Sequence, residues 1–412
     1  MTSSLLQRSQ LQPYQQRMIQ LAQSIPSMGL FMEPGLGKTV TALTIISEQF
    51  KGKTLVVAPK RVAENVWTDE VKKWQHLHTL KLSKVLGTAS QRLTALKQNS
   101  DIYVVNLENF VWLLETGVTF QNLVIDESSR FKDPSTKRFK ILKKHLRMFD
   151  RKLILTGTPS PQGVGDLWSQ VGILDLGSRL ESSLTKFRDK YMMPDQMNRH
   201  TRVVYSWKPK PGTVDVIQQK ISDICFSLKA EDYLEMPACK KVTHDLEMSK
   251  QEVNHYETLK KELVLDIEDQ AITAPTAAES TTPTLIFYHF KHSLERIKAA
   301  FPEAQVLDDS NMQAWRDGKV RILLAHPQSG GIGLNLQCNA GETAQTVWFD
   351  LPWSSENYIQ ANARIYRQGQ VKPVIIHHLA VKNSIDHHVI DVLEGKINLQ
   401  EALLDALKCV SV

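Results

Sequence analysis

Short, near-continuous apolar runs recur along this chain, each separated from the next by a longer polar segment of helical periodicity. Five lie in the first half: residues 29–32 (GLFM), 54–58 (TLVVA), 102–105 (IYVV), 123–126 (LVID) and 152–156 (KLILT). Five more follow in the second half: 284–288 (TLIFY), 305–307 (QVL), 321–325 (RILLA), 346–350 (TVWFD) and 374–379 (VIIHHL). A strand that is apolar on both faces must be covered on both, and parallel strands need long crossovers that helices supply. The pattern therefore predicts an α/β protein with two parallel sheets of similar plan, each flanked by helices. Residues 163–282 between the series read as helix-rich and end in DIEDQAITAPTAAESTT (266–282), a loop-like connector. The boundary falls near residue 233, giving expected domains 1–232 and 233–412.

Composition removes several alternatives. With 412 residues, 42% hydrophobic and 23% charged, the chain is neither disordered nor collagen-like. Its apolar runs are far short of the ~20 residues that cross a bilayer, and its N-terminus has no apolar signal core. A soluble, cytoplasmic protein is expected, in a bacterial or phage-infected cell. Cys225, Cys239, Cys338 and Cys409 lie far apart, which fits reduced thiols rather than a zinc site. The doublets His377-His378 and His387-His388 lack acidic or Cys partners nearby in sequence and read as neutral imidazoles. Charge is unevenly placed. Residues 1–232 hold 33 Lys and Arg against 21 Asp and Glu, a surplus of +12, whereas 233–412 hold 17 against 23. Residues 51–97 and 130–147 concentrate the excess, as a polyphosphate-binding surface would.

The first apolar run leads into Glu33-Pro34-Gly35-Leu36-Gly37-Lys38-Thr39 and then an apolar-periodic segment, 40–50. Glycines let a backbone wrap a phosphate, and a helix N-terminus aims N–H groups at the anion. Lys38 would reach the β- and γ-phosphates of a nucleotide and the Thr39 hydroxyl would bind Mg²⁺. The strict P-loop pattern is broken at its first position, which is Met32. About ninety residues on, Asp126 and Glu127 end a hydrophobic strand. Strand alternation would separate their carboxylates, leaving Asp126 for the Mg²⁺ shell and Glu127 to orient and deprotonate water.

Leu155-Thr156-Gly157-Thr158-Pro159-Ser160-Pro161-Gln162-Gly163, followed by Asp166-Leu167-Trp168, resembles motif III of superfamily-two helicases in its Swi/Snf-like DNA translocase form. Leu11-Gln12-Pro13-Tyr14-Gln15 resembles the adenine-reading Q motif, with Gln15 as reader. Val57-Ala58-Pro59-Lys60, with Trp67, Glu70 and Trp74, resembles motif Ia. Leu285-Ile286-Phe287 is similar to motif IV, and Gly330-Gly331-Ile332-Gly333-Leu334-Asn335-Leu336 to motif V. Asp350-Leu351-Pro352-Trp353, leading to Gln360-Ala361-Asn362-Ala363-Arg364-Ile365-Tyr366-Arg367-Gln368-Gly369-Gln370, is similar to motif VI. The segment 228–263, with Met236-Pro237, is similar to the family's bridge between lobes. The likeness covers nearly the whole chain, in order.

The resemblance implies two tandem RecA-like lobes that sandwich ATP with Mg²⁺, with a helical insertion between motifs III and IV. It implies nucleotide contacts from Gln15, Pro34, Gly35, Leu36, Gly37, Lys38, Thr39 and Gly333, metal contacts from Thr39 and Asp126, and catalysis by Lys38, Glu127, Gln360, Arg364 and Arg367. If Arg364 and Arg367 lie on a helix, their spacing puts both on one side, with Arg367 the arginine finger. Lys60, Arg61, Arg130, Lys132 and motif V would touch a DNA backbone, and Trp353 is the tryptophan kept as a contact, since Trp67, Trp74, Trp168 and Trp348 sit in apolar stretches. Ser128-Ser129 stand where family members commonly have Ala or Gly and then His. Residues 333–360 leave little room for a strand-separating hairpin. The expected activity is ATP-dependent translocation on double-stranded DNA by a monomer that a protein partner could recruit; a strand-separating or branch-migrating helicase and an ATP-gated clamp remain the alternatives.

Overall fold

The computed structural model describes residues 5–198, 200–247, 282–330, 335–338 and 345–407. The chain divides into two compact units, Met1–Tyr233 with Asn398–Val412, and Leu234–Ile397.

The first unit carries β1 (Ser27–Met32), β2 (Thr54–Ala58), β3 (Leu82–Val85), β4 (Ile102–Asn106), β5 (Asn122–Asp126), β6 (Arg151–Thr156), β7 (Met192–Met197), β8 (Val204–Pro209) and β9 (Cys225–Leu228). Seven of these form one sheet, ordered β3-β4-β2-β5-β6-β1-β9, in which every neighbouring pair is parallel. β2, β4 and β5 are buried along their whole length, as their apolar sequences require. Helices close the faces: Leu107–Glu115, for example, turns Leu107, Phe110, Leu113 and Leu114 inward at helical spacing. Register matters most for function. Phe31 pairs with Thr156, Ile125 with Ile154 and Val57 with Ile125, so β1, β6, β5 and β2 end at one level. Strands lie about 4.8 Å apart, which gathers the loops after them along one edge.

The end of the chain departs from the expected division. Leu404 and Leu407 are buried in the first unit's core. The Ser227 amide donates to Leu407 O at 3.0 Å, its hydroxyl donates to Leu404 O, and Lys229 Nζ lies 2.7 Å from Asp405. Residues 398–407 thus belong to the first unit and not to a domain 233–412. An apolar helical pattern states that a face must be covered; it does not state by which sheet.

The second unit holds β10 (Cys239–Leu246), β11 (Thr284–Phe287), β12 (Gln305–Val306), β13 (Ile322–Ala325), β14 (Gln345–Trp348) and β15 (Val374–Val381). They form a parallel sheet ordered β10-β15-β14-β11-β13-β12. Trp348 stacks on both Phe287 and Tyr358, with ring centroids 4.6 and 5.2 Å away, and fixes the middle of this core.

Five strands lie outside the ten apolar runs. β3 and β10 are edge or edge-facing strands of mixed polarity, β9 has four residues, and β7 and β8 form an exposed antiparallel hairpin. The stretch read as helix-rich does contain helices Leu167–Asp175, Leu184–Tyr191 and Thr213–Ile221, but also that hairpin, β9 and β10. Residues 266–281 of the connector, and the bridge-like segment from 248 onward, lie outside the described residues. Among the described residues no helix is long and apolar enough to cross a membrane, and no group of three or more His, Cys, Asp or Glu is placed to hold a metal ion.

Candidate nucleotide site

β1 ends at Met32 and the chain turns through Glu33–Lys38 into helix Lys38–Gln49. The turn needs glycine. Gly35 and Gly37 have φ of 93° and 76°, in the left-handed region, and a Cβ at Gly37 would stand 2.2 Å from Gln15 Nε2. No side chain caps the helix, so the positive end of its dipole and its first-turn N–H groups form an anion seat. Lys38 Nζ donates to Met32 O at 2.6 Å, which folds the ammonium back over the strand end. Gln15 is tied to the same turn: its Nε2 donates to Leu36 O at 3.0 Å, and its Oε1 accepts from the Gln12 amide at 2.9 Å. Pro34 packs against the next loop, where a Cβ at Gly157 would lie 3.1 Å from Pro34 Cδ and 3.2 Å from Met32 O. Glu33, within the turn, accepts from the Ala230 amide at 2.7 Å. Burial raises its pKa, opposed by that bond and by Lys229.

Two strands away, Asp126 ends β5. Its carboxylate is buried, which raises its pKa, while Lys38 and a 3.0 Å hydrogen bond from Trp67 Nε1 pull the other way. Thr39 is half-buried at the start of the P-loop helix. Glu127 does not continue the strand: its φ of 63° and ψ of 61° are left-handed, an uncommon conformation for a residue with a Cβ. A backbone kink thus takes Glu127 out of the strand, so strand alternation does not set the direction of its carboxylate. Behind them, Ser128 Oγ donates to Gln170 Oε1 at 2.7 Å, and Gln170 Nε2 donates to Pro159 O at 2.6 Å and Asp166 O at 2.9 Å. One buried amide therefore joins the loop after β5 to the loop after β6. In that second loop the Thr158 amide donates to the Thr156 hydroxyl at 3.0 Å.

The basic residues leave adjacent strands. Lys60 and Arg61 follow β2, and Arg130 and Lys132 follow β5. Because Val57 pairs with Ile125, both pairs emerge on the same edge as the P-loop. Lys60 is exposed, 4.0 Å from Glu64.

In the second unit the arginines correct the sequence expectation. Helix Ser355–Asn362 ends before them, and the Asn362 carbonyl accepts from the Ile365 and Tyr366 amides as the chain turns. Arg364 and Arg367 lie in that turn, so helical spacing does not set their directions. The Arg364 carbonyl accepts from the Leu336 amide at 3.1 Å and the Arg367 carbonyl from Gln337 Nε2 at 3.2 Å. Burial holds the Arg367 guanidinium below its ordinary pKa. Gln360 is buried on the helix, with Nε2 3.5 Å from Glu356 Oε1. Trp353 is 58% exposed, whereas Trp67, Trp74, Trp168 and Trp348 are buried. Gly333, with residues 331–334 of the motif V segment, lies outside the described residues. Sequence reasoning missed Gln170, the bond from Trp67 to Asp126, and the role of Asp350, which accepts from the His289 and Phe290 amides and the Ser293 hydroxyl. Gln170 left one signal, an uncharged polar residue inside the apolar helix LWSQVGILD.

The chain has clear relatives. The SNF2-related domain matches residues 14–293, which take in the P-loop, Asp126-Glu127 and the loop after β6. Protein p41 of Acyrthosiphon pisum secondary endosymbiont phage 1 is 32% identical, over 96% of this chain and 98% of its own length. The ATP-dependent helicase YqhH of Bacillus subtilis (strain 168) is 22% identical over 91% of this chain and 76% of its own. Chromodomain-helicase-DNA-binding protein 6 of Homo sapiens is 24% identical over 90% of this chain, which spans 16% of that larger protein. The Sulfolobus solfataricus SWI2/SNF2 ATPase core in complex with dsDNA aligns over 98% of this chain and 97% of its own, with 19% identity and a TM-score of 0.47. With a domain match over more than half its length and a relative that parallels nearly all of it, this chain belongs to the SNF2-related family of helicase-type ATPases.

Proposed function

We propose that this protein is an ATP-driven motor that translocates along double-stranded DNA. The observation that carries the proposal is the edge of the first sheet, where an uncapped helix N-terminus, Lys38, a buried Asp126 and a kinked Glu127 leave strands that end at one level. The uncapped terminus and Lys38 receive the β- and γ-phosphates. A buried carboxylate with a raised pKa suits a divalent cation, so Asp126 and the Thr39 hydroxyl would hold Mg²⁺, which neutralises phosphate charge when bound. Glu127, turned out of the strand, orients and deprotonates the attacking water. Gln15 reads the adenine, and Arg364 and Arg367, assisted by Gln360, neutralise charge developing on the γ-phosphate, with Arg367 as the finger.

Duplex DNA is supported by the surplus of +12 over residues 1–232, by Lys60, Arg61, Arg130 and Lys132 leaving neighbouring strands on the nucleotide edge, and by the DNA-binding relative among the chromodomain helicases. Such contacts follow the backbone and confer affinity without sequence preference. Trp353, exposed after β14, joins them.

The test is steady-state ATP hydrolysis without nucleic acid and with duplex DNA, single-stranded DNA or RNA. Strong stimulation by duplex, followed by displacement of a triplex-forming strand, is expected; stimulation confined to single strands or RNA would move the assignment to an unwinding helicase. Glu127→Gln should bind ATP and duplex while turnover falls roughly 10²–10⁴-fold. Wild-type turnover in that variant would remove Glu127 as the base.

A further inference from the structure

β7 and β8 form an antiparallel pair on the first unit: β7 is exposed beyond Met192, whereas β8 mixes exposed with half-buried positions and packs Trp207 against the core. Tyr191 and Met192 are buried at the root, whereas Met193, Met197, Val203 and Tyr205 are exposed, the last by 66%. Bare apolar side chains on a two-stranded ribbon gain nothing from water, and an isolated hairpin is at best marginally stable. This one is nonetheless built in detail. Ser206 Oγ donates to Asp195 Oδ2 at 3.0 Å and accepts from the Gln196 amide at 3.1 Å. At the tip, Asn198 Oδ1 accepts from the His200 and Thr201 amides, the Asn198 amide donates to Val203 O at 2.9 Å, and the Arg202 amide donates to Asn198 O at 2.8 Å. That turn holds Arg202 at φ 56°, where glycine would be the relaxed choice, yet the position carries an exposed guanidinium. At the other end Arg188 lies over the Trp207 ring, 5.1 Å from its centroid.

Charge selects the occupant. The hairpin, residues 192–209, contains three Lys and Arg against one Asp, a net of +2, and the helix that leads into it adds Lys186, Arg188 and Lys190 against Asp189. Lys190 and Lys208 are engaged by Glu181 and Asp195, but Arg202 makes no ion pair among the described residues. A basic ribbon with exposed Tyr and Val suits a polyanion that also offers apolar edges. The major groove of B-DNA, about 12 Å wide, admits a two-stranded β-ribbon.

We propose that the β7–β8 hairpin is a duplex-DNA contact of this motor, entering a groove with Val203 and Tyr205 against sugars and bases and Arg202 on a backbone phosphate. It adds a gripping element on the first unit apart from the residues that follow β2 and β5. The inference rests on the duplex-translocase reading above, and the experiment separates the two.

The full chain is titrated with a fluorescent 30-base-pair duplex, and with the matching single strand, over a range of salt. Arg202→Glu should weaken duplex binding by about tenfold and lower the log–log salt slope by about one, as loss of one phosphate contact requires. Tyr205→Ala should weaken it by about threefold, and a charge-matched control, Lys319→Glu, by less than twofold. Unfolding midpoints within 1–2 °C of wild type exclude misfolding as the cause. If the wild type binds duplex and both hairpin variants bind equally well, the hairpin is not a DNA contact and the translocase reading stands. If Arg202→Glu loses only single-strand affinity, the groove placement is overturned. If the wild type neither binds duplex nor is stimulated by it, both inferences fall.

Discussion

In the first unit the inner strand β1 runs through a glycine turn into a helix that begins with Lys38; in the second, the inner strand β11 runs through His289 and Phe290 into helix Lys291–Ala300, which begins with Lys291. Both helices leave the carboxyl edge of a parallel sheet. At the first, no side chain caps the N-terminus. At the second, the Asp350 carboxylate accepts from the His289 amide at 2.7 Å, the Phe290 amide at 3.2 Å and the Ser293 hydroxyl at 3.0 Å. The same scaffold therefore leaves the approach to one helix to a glycine turn and ties the approach to the other with its own carboxylate. A phosphate site is not a gift of the fold. It requires a terminus left uncapped and glycines that let the chain pass close to an anion.

The strongest way to break this comparison is at the two lysines. Lys38→Ala should lower ATP turnover by roughly 10²-fold or more, because in the proposed site it removes the charge placed on the transferring phosphate. Lys291→Ala should leave turnover within about twofold. Equal losses in both would mean that the second helix also handles phosphate. Gly37→Ala comes next. The left-handed backbone costs a Cβ about 1–2 kcal/mol, and the added methyl must also displace Gln15, so nucleotide affinity should fall by about tenfold in equilibrium binding.

A pH prediction concerns the second unit alone. Tyr358 OH lies 2.8 Å from His378 Nε2 in the core, and burial, followed by Lys241, holds the His378 pKa down to about 4 from an ordinary 6.5. The unfolded chain binds a proton below 6.5 that the folded imidazole refuses, so stability is lost as pH falls from 6.5 toward 4. The slope approaches ~1.4 kcal/mol per pH unit, about 2 kcal/mol between pH 6.5 and 5. Thermal unfolding should show that loss, and His378→Gln should flatten it. The smallest effect is expected at Asp350→Ala. Losing the carboxylate at the helix entrance should cost about 1 kcal/mol and lower the unfolding midpoint by a few degrees. It should not create a second nucleotide site, since no glycine turn precedes that helix; two bound nucleotides per chain would show that capping alone distinguishes the units.

The sheets and the glycine turn after β1 were legible in the sequence for a physical reason. Strands buried on both faces must be apolar throughout, and a phosphate loop must carry glycine where the backbone is left-handed, so both write local patterns. β9 and β10 wrote none: one has four residues and the other alternates Lys and Thr with half-buried positions at an edge. Asp350 was invisible as a cap because its partners lie about sixty residues earlier. Arg364 and Arg367 illustrate the opposite error. Their spacing suits a helix, but the helix stops at Asn362, and nothing in Ala363–Gly369 except the glycine, at φ 91°, announces a turn. The kink at Glu127 was equally unreadable, since only tertiary support keeps a carboxylate residue in that conformation.

The Gln170 amide has a consequence for inheritance. It spans the loop after β5 and the loop after β6 through Ser128, Pro159 and Asp166. A change at position 170 strands a buried hydroxyl on one side and two carbonyls on the other, so substitutions at 128 and 170 should not add independently. Positions 128 and 170 should therefore drift together, and the trace of that shared joint would be a correlated pair, one residue directly after Asp126-Glu127 and the other in the helix beyond the loop after β6.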